Sequence, residues 1–348
     1  MKTHETKTMR MDGAARQGLR ATLRRAAAAL LPLLPLLLGA GLAPAAQAAG
    51  YPDKPITLLV PFPPGGSTDS LARAIATKLQ EKLGQTVLVD NRPGATGTTG
   101  TAQLKRAPAD GYTLMVSSLG PFVIAPHLLK AVPYDALKDL DLLTVAVQAP
   151  NVLVVPAASK LMSVADVIAQ LKREPGKMSF ASSGNGSSDH LTVELFWQQT
   201  GTSGLHIPYK GGAPAITDLL GGQVDASFQN VNAVLQHILG GKLRALAVTG
   251  EKRSAVLPNV PTLGESGVKG ADVYSWQGVA APVGLPPAVR AQISAALQAA
   301  LNDPAVKQKN AEIGIETVAN TPEQAQAFQR SEFARWKKVI EAGKITAD

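Results

Sequence analysis

Cysteine is absent from all 348 residues of this chain. Its absence excludes disulfide bonds, thiolate chemistry and a lipidated N-terminal cysteine. The sequence also lacks a Gly-x-Ser-x-Gly nucleophile elbow, a His-Glu-x-x-His helix, a His-x-His pair and a glycine loop followed by Lys-Ser or Lys-Thr. These motifs mark serine hydrolases, zinc sites and nucleotide-binding loops. The sequence therefore gives little support to an enzyme and predicts no metal and no cofactor.

A long unbroken apolar segment is missing as well. The most apolar stretch, residues 26–42, is interrupted by Pro32 and Pro35 and is too short and broken for a good membrane span. Basic residues precede it and the small-x-small site Ala46-Gln47-Ala48 follows it, which is the pattern of a secretory signal peptide. We therefore predict that residues 1–48 are a cleaved signal peptide and that the protein is exported. Arg24-Arg25 leaves the Sec and twin-arginine routes open.

Most of the excess positive charge lies in the leader. It carries seven Lys and Arg residues against two Asp and Glu, so the formal net charge falls from +8 for the whole chain to +3 without it. A basic stripe that would attract nucleic acid is therefore not expected in the mature protein.

From Tyr51 onward, strand and helix patterns alternate, which is typical of an α/β fold. Three loops rich in glycine or hydroxyl residues follow the strands predicted at 56–60, 86–89 and 112–116. In open α/β sheets, ligands bind outside the carboxyl ends of the strands. The first half of the chain therefore predicts a binding edge.

The middle of the chain repeats this pattern. A strand at 177–181 leads through a glycine turn into a helix from Leu191, and Tyr209-Lys210-Gly211 and Gln229-Asn230 follow two further strands. Apolar runs near residues 142–155 and 243–248 are interpreted as two crossings. We predict two α/β lobes around a cleft that closes by hinge motion, with lobe 1 at residues 49–149 and 250–348 and lobe 2 at residues 150–249.

The first loop suits an anionic ligand. Gly65 and Gly66 permit positive φ and close approach to the backbone, and we expect Ser67, Thr68 or Asp69 to be the N-cap of the next helix. The start of a helix directs N–H groups and a positive dipole end towards an anion such as a carboxylate. The alternative is an ordinary capped β–α turn.

The remaining polar groups are mostly neutral donors, which favour binding over turnover. Three charged or titratable residues have simpler alternative roles: His190 as a helix-terminal packing residue, Lys210 as a solvated loop residue and Asp69 as a cap. The neutral donors are Ser67, Thr68, Ser117, Ser118, Asn185, Ser187, Ser188 and Asn230.

At this point the motifs resemble a known family. The sequence is similar to the periplasmic substrate-binding proteins of tripartite tricarboxylate transporters, also called Bug-type receptors. The resemblance covers essentially the whole mature chain and lies in the segments Tyr51 to Asp69, Asn91-Arg92-Pro93-Gly94, Asp110 to Leu114, Ser182 to Ser187, Pro208 to Ala215, Leu219 to Val224, Gly241 to Thr249 and Pro258 to Thr262.

The resemblance implies a two-lobed periplasmic-binding-protein fold with two interdomain crossings, similar to type II. It implies a small carboxylate ligand held by the loops Phe62–Asp69 and Gly184–Ser188, in a periplasmic monomer that works with membrane transporter subunits. Together with the donors above, the predicted ligand-binding residues are Phe62, Gly65, Gly66, Ser67, Thr68, Asp69, Ser117, Ser118, Gly184, Asn185, Gly186, Ser187, Ser188, His190, Lys210 and Asn230.

One departure from the family pattern concerns ligand charge. Many relatives carry an acidic residue where this chain has Gln229, so a neutral residue in the distal pocket would argue against a cationic ligand. Two alternatives remain open: a periplasmic carboxylate sensor that acts through a signalling partner, and a periplasmic hydrolase or lyase.

Overall fold

The structure is a computed structural model that describes residues 50–347. The predicted signal peptide lies outside the described residues. From Pro52 onward the chain forms one compact unit.

In the described part of the chain, ten strands form one mixed sheet with the order β2-β1-β3-β9-β4-β7-β5-β6, and β8 and β10 pair with β4 beside this path. The strands are β1 (Ile56–Val60), β2 (Val87–Asn91), β3 (Thr113–Ser118), β4 (Leu140–Pro156), β5 (Ser179–Ser182), β6 (Leu205–Pro208), β7 (Ala226–Asn230), β8 (Leu243–Val248), β9 (Tyr274–Pro282) and β10 (Glu316–Thr317).

Within residues 50–347, ten α-helices connect and cover these strands, with short helical turns at Ala95–Gly97 and Gly120–Ile124. The helices are α1 (Ser67–Leu83), α2 (Thr98–Arg106), α3 (Ala125–Leu128), α4 (Val164–Arg173), α5 (Ser188–Thr200), α6 (Gly212–Leu220), α7 (Val231–Leu239), α8 (Pro287–Leu301), α9 (Pro304–Glu312) and α10 (Pro322–Gly343). Among the described residues, no helix combines the length and apolar character needed to cross a membrane.

The long strand β4 is the first crossing. We expected two apolar runs separated by residues 148–151, but the strand continues through them for 17 residues. Its first part pairs with β9 and its last part with β7 and β8. Pairing with β9 up to Pro150 and with β7 from Asn151 continues the sheet across 148–151, so this segment remains extended.

The second crossing is bonded to the first. The chain passes from β8 through Thr249 to β9, and the Thr249 hydroxyl accepts from the backbone N–H of Asn151 at 2.9 Å and donates to the carbonyl oxygen of Val273. The backbone N–H of Thr249 donates in turn to the carbonyl oxygen of Asn151 at 2.8 Å. The crossings therefore form one buried hydrogen-bonded unit. The lobe limits at residues 149/150 and 249/250 stay a prediction.

Strand direction places the candidate loops at two edges. β1 is parallel to β2 and β3, and β5 is parallel to β6 and β7. The loops that follow each set of three parallel strands therefore leave the sheet at a common edge.

Helix α10 packs on the strands of lobe 1 around two buried tryptophans. Trp276 of β9 stacks on Phe122 with ring centroids 5.7 Å apart, and Trp336 of α10 is fully buried. Both indole N–H groups donate to the carboxylate of Glu332, at 3.4 and 3.0 Å. This core anchors the C-terminal helix to lobe 1.

Candidate functional site

The first candidate loop is held in place by Asp69. Its carboxylate accepts from the backbone N–H of Gly65 at 3.0 Å, from Asn91 at 3.0 Å and from two nitrogens of Arg73, each at 3.0 Å. Asn91 also donates to the carbonyl oxygen of Phe62 at 3.1 Å. The bonds from Arg73 hold the pKa of Asp69 down at about 2, against the cost of burial. Asp69 therefore shapes the loop, and its own oxygens are already occupied.

The start of α1 carries free donors. We expected Ser67, Thr68 or Asp69 as the N-cap, which was wrong: the N-cap is Gly66, and no side chain caps the helix. The Asp69 carboxylate turns back to Gly65 and Arg73, so it is not available as a cap. Within residues 50–347, the backbone N–H groups of Ser67 and Thr68 have no acceptor. Two N–H groups at the positive end of a 17-residue helix are suited to an anion.

Loops from lobe 1 and lobe 2 meet beside this helix start. A Cβ added at Gly97 would lie 3.2 Å from the ring of Phe62. A Cβ added at Gly186 would lie 3.0 Å from Leu128 and 3.3 Å from the methyl group of Thr96. The close packing requires glycine at both positions. Phe62, predicted from the first half of the chain, and Gly186, predicted from its middle part, thus lie in one cluster of loops.

Backbone strain occurs in the same cluster. Ala95 and Thr96 both have positive φ, 44° and 55°. Such a conformation costs a non-glycine residue of order 1–3 kcal/mol and often marks a binding site. Thr96 reaches both Gly120 and Gly186, so the strained turn contacts the loops of both lobes.

In lobe 2, Ser187 and Ser188 have different roles. Ser187 is the N-cap of α5: its hydroxyl accepts from the N–H of His190 at 3.3 Å and donates to the carbonyl oxygen of Gly184 at 2.6 Å. The Ser188 hydroxyl accepts from Asn230 at 3.3 Å, and among the described residues its proton has no acceptor. Ser188 is therefore the better ligand donor of the two.

Asn230 connects the candidate site to the first crossing. Its side-chain amide donates to Ser188 and to the side-chain oxygen of Asn151. Asn151 is fully buried in β4 and donates to Thr192 of α5 at 2.8 Å. Ser188 is thus two hydrogen bonds from the first crossing.

His190 bonds to the backbone of the loop cluster at Gly186. Its Nδ1 accepts from the backbone N–H of Gly186 at 3.1 Å, and its ring stacks on His206 with centroids 4.1 Å apart. Burial and the neighbouring His206 lower the pKa of His190 to about 3. The ring lines a cavity of about 380 Å³ with Glu194, His206 and residues 343–346. The packing alternative fits this position better than direct ligand contact.

Asn185 is also turned towards the C-terminal segment. Its side-chain amide donates to the carbonyl oxygen of Ala347 at 2.6 Å, and the residue lines the same cavity as His190. The loop Gly184–Ser187 is therefore held by the chain end on one side while Gly186 packs on lobe 1 residues on the other.

Three further predicted ligand residues are Ser117, Ser118 and Lys210. Ser117 is fully buried and its hydroxyl donates to the carbonyl oxygen of Ser118 at 3.3 Å. Ser118 is half-buried, and its Oγ would be 3.8 Å from a Cβ added at Gly120. Lys210 is exposed, as its solvated alternative implies, although its neighbours Tyr209 and Gly211 contact the loop at Ser183 and Gly184.

Gln229 is turned inward. Its side-chain amide donates to Ser227 at 2.9 Å and to Asp189 at 3.4 Å, and the residue is 2% exposed. Burial raises the pKa of Asp189. An acidic side chain at 229 would add a second buried carboxyl group beside the first, so the neutral residue here has a structural reason independent of ligand charge.

Sequence reasoning missed Gln277. It is the polar residue inside the apolar strand predicted at 276–281, and that contrast was the available signal. Its amide nitrogen donates to the Ser67 hydroxyl at 3.2 Å, and its register partner on β3 is Ser118. Two predicted ligand residues are thus its direct neighbours.

Metal ligation has no support in the geometry. Across residues 50–347, no group of three or more His, Asp or Glu side chains is placed to hold a metal ion. His190 has its Nδ1 directed at a backbone N–H, so its proton lies on Nε2 and neither nitrogen is free to ligate.

Comparison with known proteins assigns the family. A family model described as "Tripartite tricarboxylate transporter family receptor" matches residues 71–345. The chain belongs to this family.

Individual relatives agree with the assignment. The chain is 43% identical to Protein BugT of Bordetella pertussis over 302 residues, which are 86% of this chain and 93% of that protein. The structure of R. palustris Rpa4515 with adipate is 35% identical, has a TM-score of 0.80 and is matched over 85% of this chain and 99% of that one. MatC of Rhodopseudomonas palustris with bound malate is 27% identical, with a TM-score of 0.77 over 83% and 100% of the two chains.

These neighbours confirm two predictions made from the sequence. The chain is a Bug-type receptor of the tripartite tricarboxylate family, and it has the two-lobed periplasmic-binding-protein fold. Its family and its structural neighbours are solute-binding receptors, and two of those neighbours hold small dicarboxylates.

Proposed function

We propose that this protein is an exported, monomeric periplasmic receptor that captures a small organic acid and delivers it to a membrane transporter. The observation that carries the proposal is the start of α1, where the N–H groups of Ser67 and Thr68 have no acceptor within the described chain. A carboxylate satisfies two such groups at once and gains from the helix dipole.

The surroundings of this helix start support a carboxylate as the ligand. The neighbouring acid, Asp69, is neutralised by Arg73, so it adds little repulsion. Neutral donors and acceptors such as Ser118, Ser188 and Gln277 suit the polar remainder of a small ligand. Adipate and malate in related structures belong to the same chemical class.

Capture follows from the two-lobed fold. A ligand that enters between open lobes and contacts the loops of both favours the closed form by the contacts made only there. The hydrogen-bonded crossings at Asn151 and Thr249 provide the hinge.

A pair of substitutions at one position tests the carboxylate site. Proline is favoured at the first position of a helix and lacks an N–H, and the extended backbone of Gly66, with φ −81° and ψ 174°, is compatible with a following proline. Ser67→Pro therefore removes the N–H, whereas Ser67→Ala removes only the hydroxyl. Hydrogen bonds to charged groups contribute about 1.5–3 kcal/mol, so the proline variant should bind a carboxylate at least about tenfold more weakly than the alanine variant.

The ligand itself is sought first by native mass spectrometry of the gently purified exported protein. Calorimetry with mono- and dicarboxylic acids follows, with the matching methyl esters as uncharged controls. Binding of an acid but not of its ester supports the proposal. Equal binding of acid and ester, or equal affinities of the two Ser67 variants, would refute the carboxylate site.

A separate experiment tests whether ligand binding leads to transport or to signalling. Loss of uptake of the bound acid in a deletion strain supports delivery to a transporter. Normal uptake with loss of a transcriptional response would favour the sensor alternative. Turnover of a ligand by the purified protein, abolished by His190→Ala, would favour the hydrolase or lyase alternative.

A further inference from the structure

Gln277 presents an unsatisfied amide beside the proposed carboxylate site. The residue is 8% exposed, and its amide nitrogen donates to Ser67. Its oxygen, Oε1, is buried and has no hydrogen-bond partner among residues 50–347. Leaving a buried carbonyl oxygen unpaired costs about 1–3 kcal/mol. Such groups are rare in native proteins and call for a specific reason.

The strand register places this amide on the binding side of the sheet. Trp276 packs on Phe122 and Phe328, on the side of α10. Successive residues of a strand point to opposite faces, so Gln277 points away from α10, towards Ser67 at the start of α1. Ser118 is its register partner on β3 and Val147 on β4.

The amide can serve a ligand in either of two orientations. The Ser67 hydroxyl can accept from the amide nitrogen or donate to the amide oxygen, so either end of Gln277 can face away from it. A ligand ammonium would suit only the oxygen, and a carboxylate only the nitrogen. A hydroxyl group suits both, because it donates to an oxygen and accepts from an N–H.

We propose that Gln277 is a specificity-determining residue whose amide hydrogen-bonds a hydroxyl group on the carbon next to the ligand carboxylate. The inference rests on the proposed function, because it places that carboxylate on the N–H groups of Ser67 and Thr68. It assigns the ligand to the 2-hydroxy acids. Gln277 pairs with Val147, four residues before Asn151 in the first crossing.

The test uses matched pairs of ligands. Each carboxylic acid that binds is compared by calorimetry with its 2-hydroxy derivative, starting with succinate and malate. The wild-type protein should bind the hydroxy acid about tenfold more tightly, since one hydrogen bond that satisfies a buried group is gained. In Gln277→Met, which keeps the side-chain length, the two acids should bind with nearly equal affinity, because the hydroxy acid loses more affinity than the plain acid does.

A second glutamine supplies the control variant. Gln148 lies on the neighbouring strand opposite Trp276, and its amide donates to Glu316 at 2.9 Å. Gln148→Met should leave the tenfold preference unchanged. Thermal unfolding of each variant checks that it folds. If Gln277→Met does not fold, the isosteric Gln277→Glu replaces it, and its negative charge should weaken both acids by tenfold or more.

Several outcomes would overturn the inference. The wild-type protein would show no preference for the hydroxy acid, or the preference would survive in Gln277→Met. Equal losses of affinity for both acids in Gln277→Met, or wild-type affinities in Gln277→Glu, would contradict it as well. Binding of acids without a hydroxyl preference refutes this inference alone. Binding of no acid at all refutes the proposed function, and this inference with it.

Discussion

The backbone N–H of Gly186 donates to Nδ1 of His190 across 3.1 Å. This bond fixes the neutral tautomer with its proton on Nε2, 3.9 Å from the carboxylate of Glu194. Because Gly186 packs on Thr96 and Leu128 of lobe 1, the neutral ring of His190 supports the loop where the lobes meet. A protonated ring would place an N–H against the N–H of Gly186.

The pH dependence of stability follows from this bond. Burial lowers the pKa of His190 to about 3 from an ordinary value of 6.5. The stabilisation is therefore fully present above pH 6.5 and is lost as the pH falls towards 3, because the unfolded chain takes up the proton first. Because the unfolded chain binds one proton more than the folded chain in that range, the free energy of unfolding falls by about 1.4 kcal/mol per pH unit.

Urea unfolding between pH 7 and pH 4 measures this contribution. His190→Asn keeps an acceptor for Gly186 without a titrating ring, so the difference between wild type and variant should shrink or reverse as the pH falls. The raised pKa of Glu194 acts in the opposite direction and is common to both proteins, and His206 titrates in both as well. Parallel pH profiles would contradict the assignment.

Asp69→Ala should weaken ligand binding without any loss of direct contact. It leaves Gly65 N–H, Asn91 and Arg73 without their acceptor. We expect a loss of unfolding free energy of about 1–3 kcal/mol and about tenfold weaker carboxylate binding, because the loop before α1 loses its support. Glu81→Ala on the same helix removes an exposed ion pair with Lys78 and should cost less than about 1 kcal/mol. Wild-type affinity in Asp69→Ala would separate this loop from the site.

Ser187→Ala and Ser188→Ala should separate stability from binding. Ser187 caps α5, so its alanine variant should lose about 1 kcal/mol of unfolding free energy. Ser188 has a hydroxyl proton without an acceptor in the described chain, so its alanine variant should bind the ligand several-fold more weakly. Chemical unfolding and calorimetry on both variants make the comparison. The reverse pattern would restore Ser187 as the ligand donor expected from sequence.

Thr249→Val should destabilise the hinge. Valine preserves the shape but leaves the buried Asn151 N–H and Val273 carbonyl oxygen unpaired, at a cost of about 1–3 kcal/mol. Thr249→Ser keeps the hydroxyl and is the matched control. Hydrogen exchange at Asn151 and Val152 should accelerate in the valine variant alone. Unchanged exchange there would show that the crossings are held by other contacts.

The sequence by itself determined the order of strands and helices, the glycine loops and the family. These follow from local patterns. The spacing of apolar residues decides whether a segment forms a helix or a strand, and glycine marks the turns. Gly65, for example, does adopt positive φ in the first loop.

Only the tertiary structure decided which polar groups remain available for a ligand. The Ser187 hydroxyl, the Asn185 amide and the Nδ1 of His190 have protein partners, whereas the N–H of Ser67 and the Oε1 of Gln277 have none within residues 50–347. Ser67 and Gln277 are 210 positions apart. A hydrogen-bonding group is available only if nothing else in the fold has taken it, and partners so distant in sequence leave no local pattern.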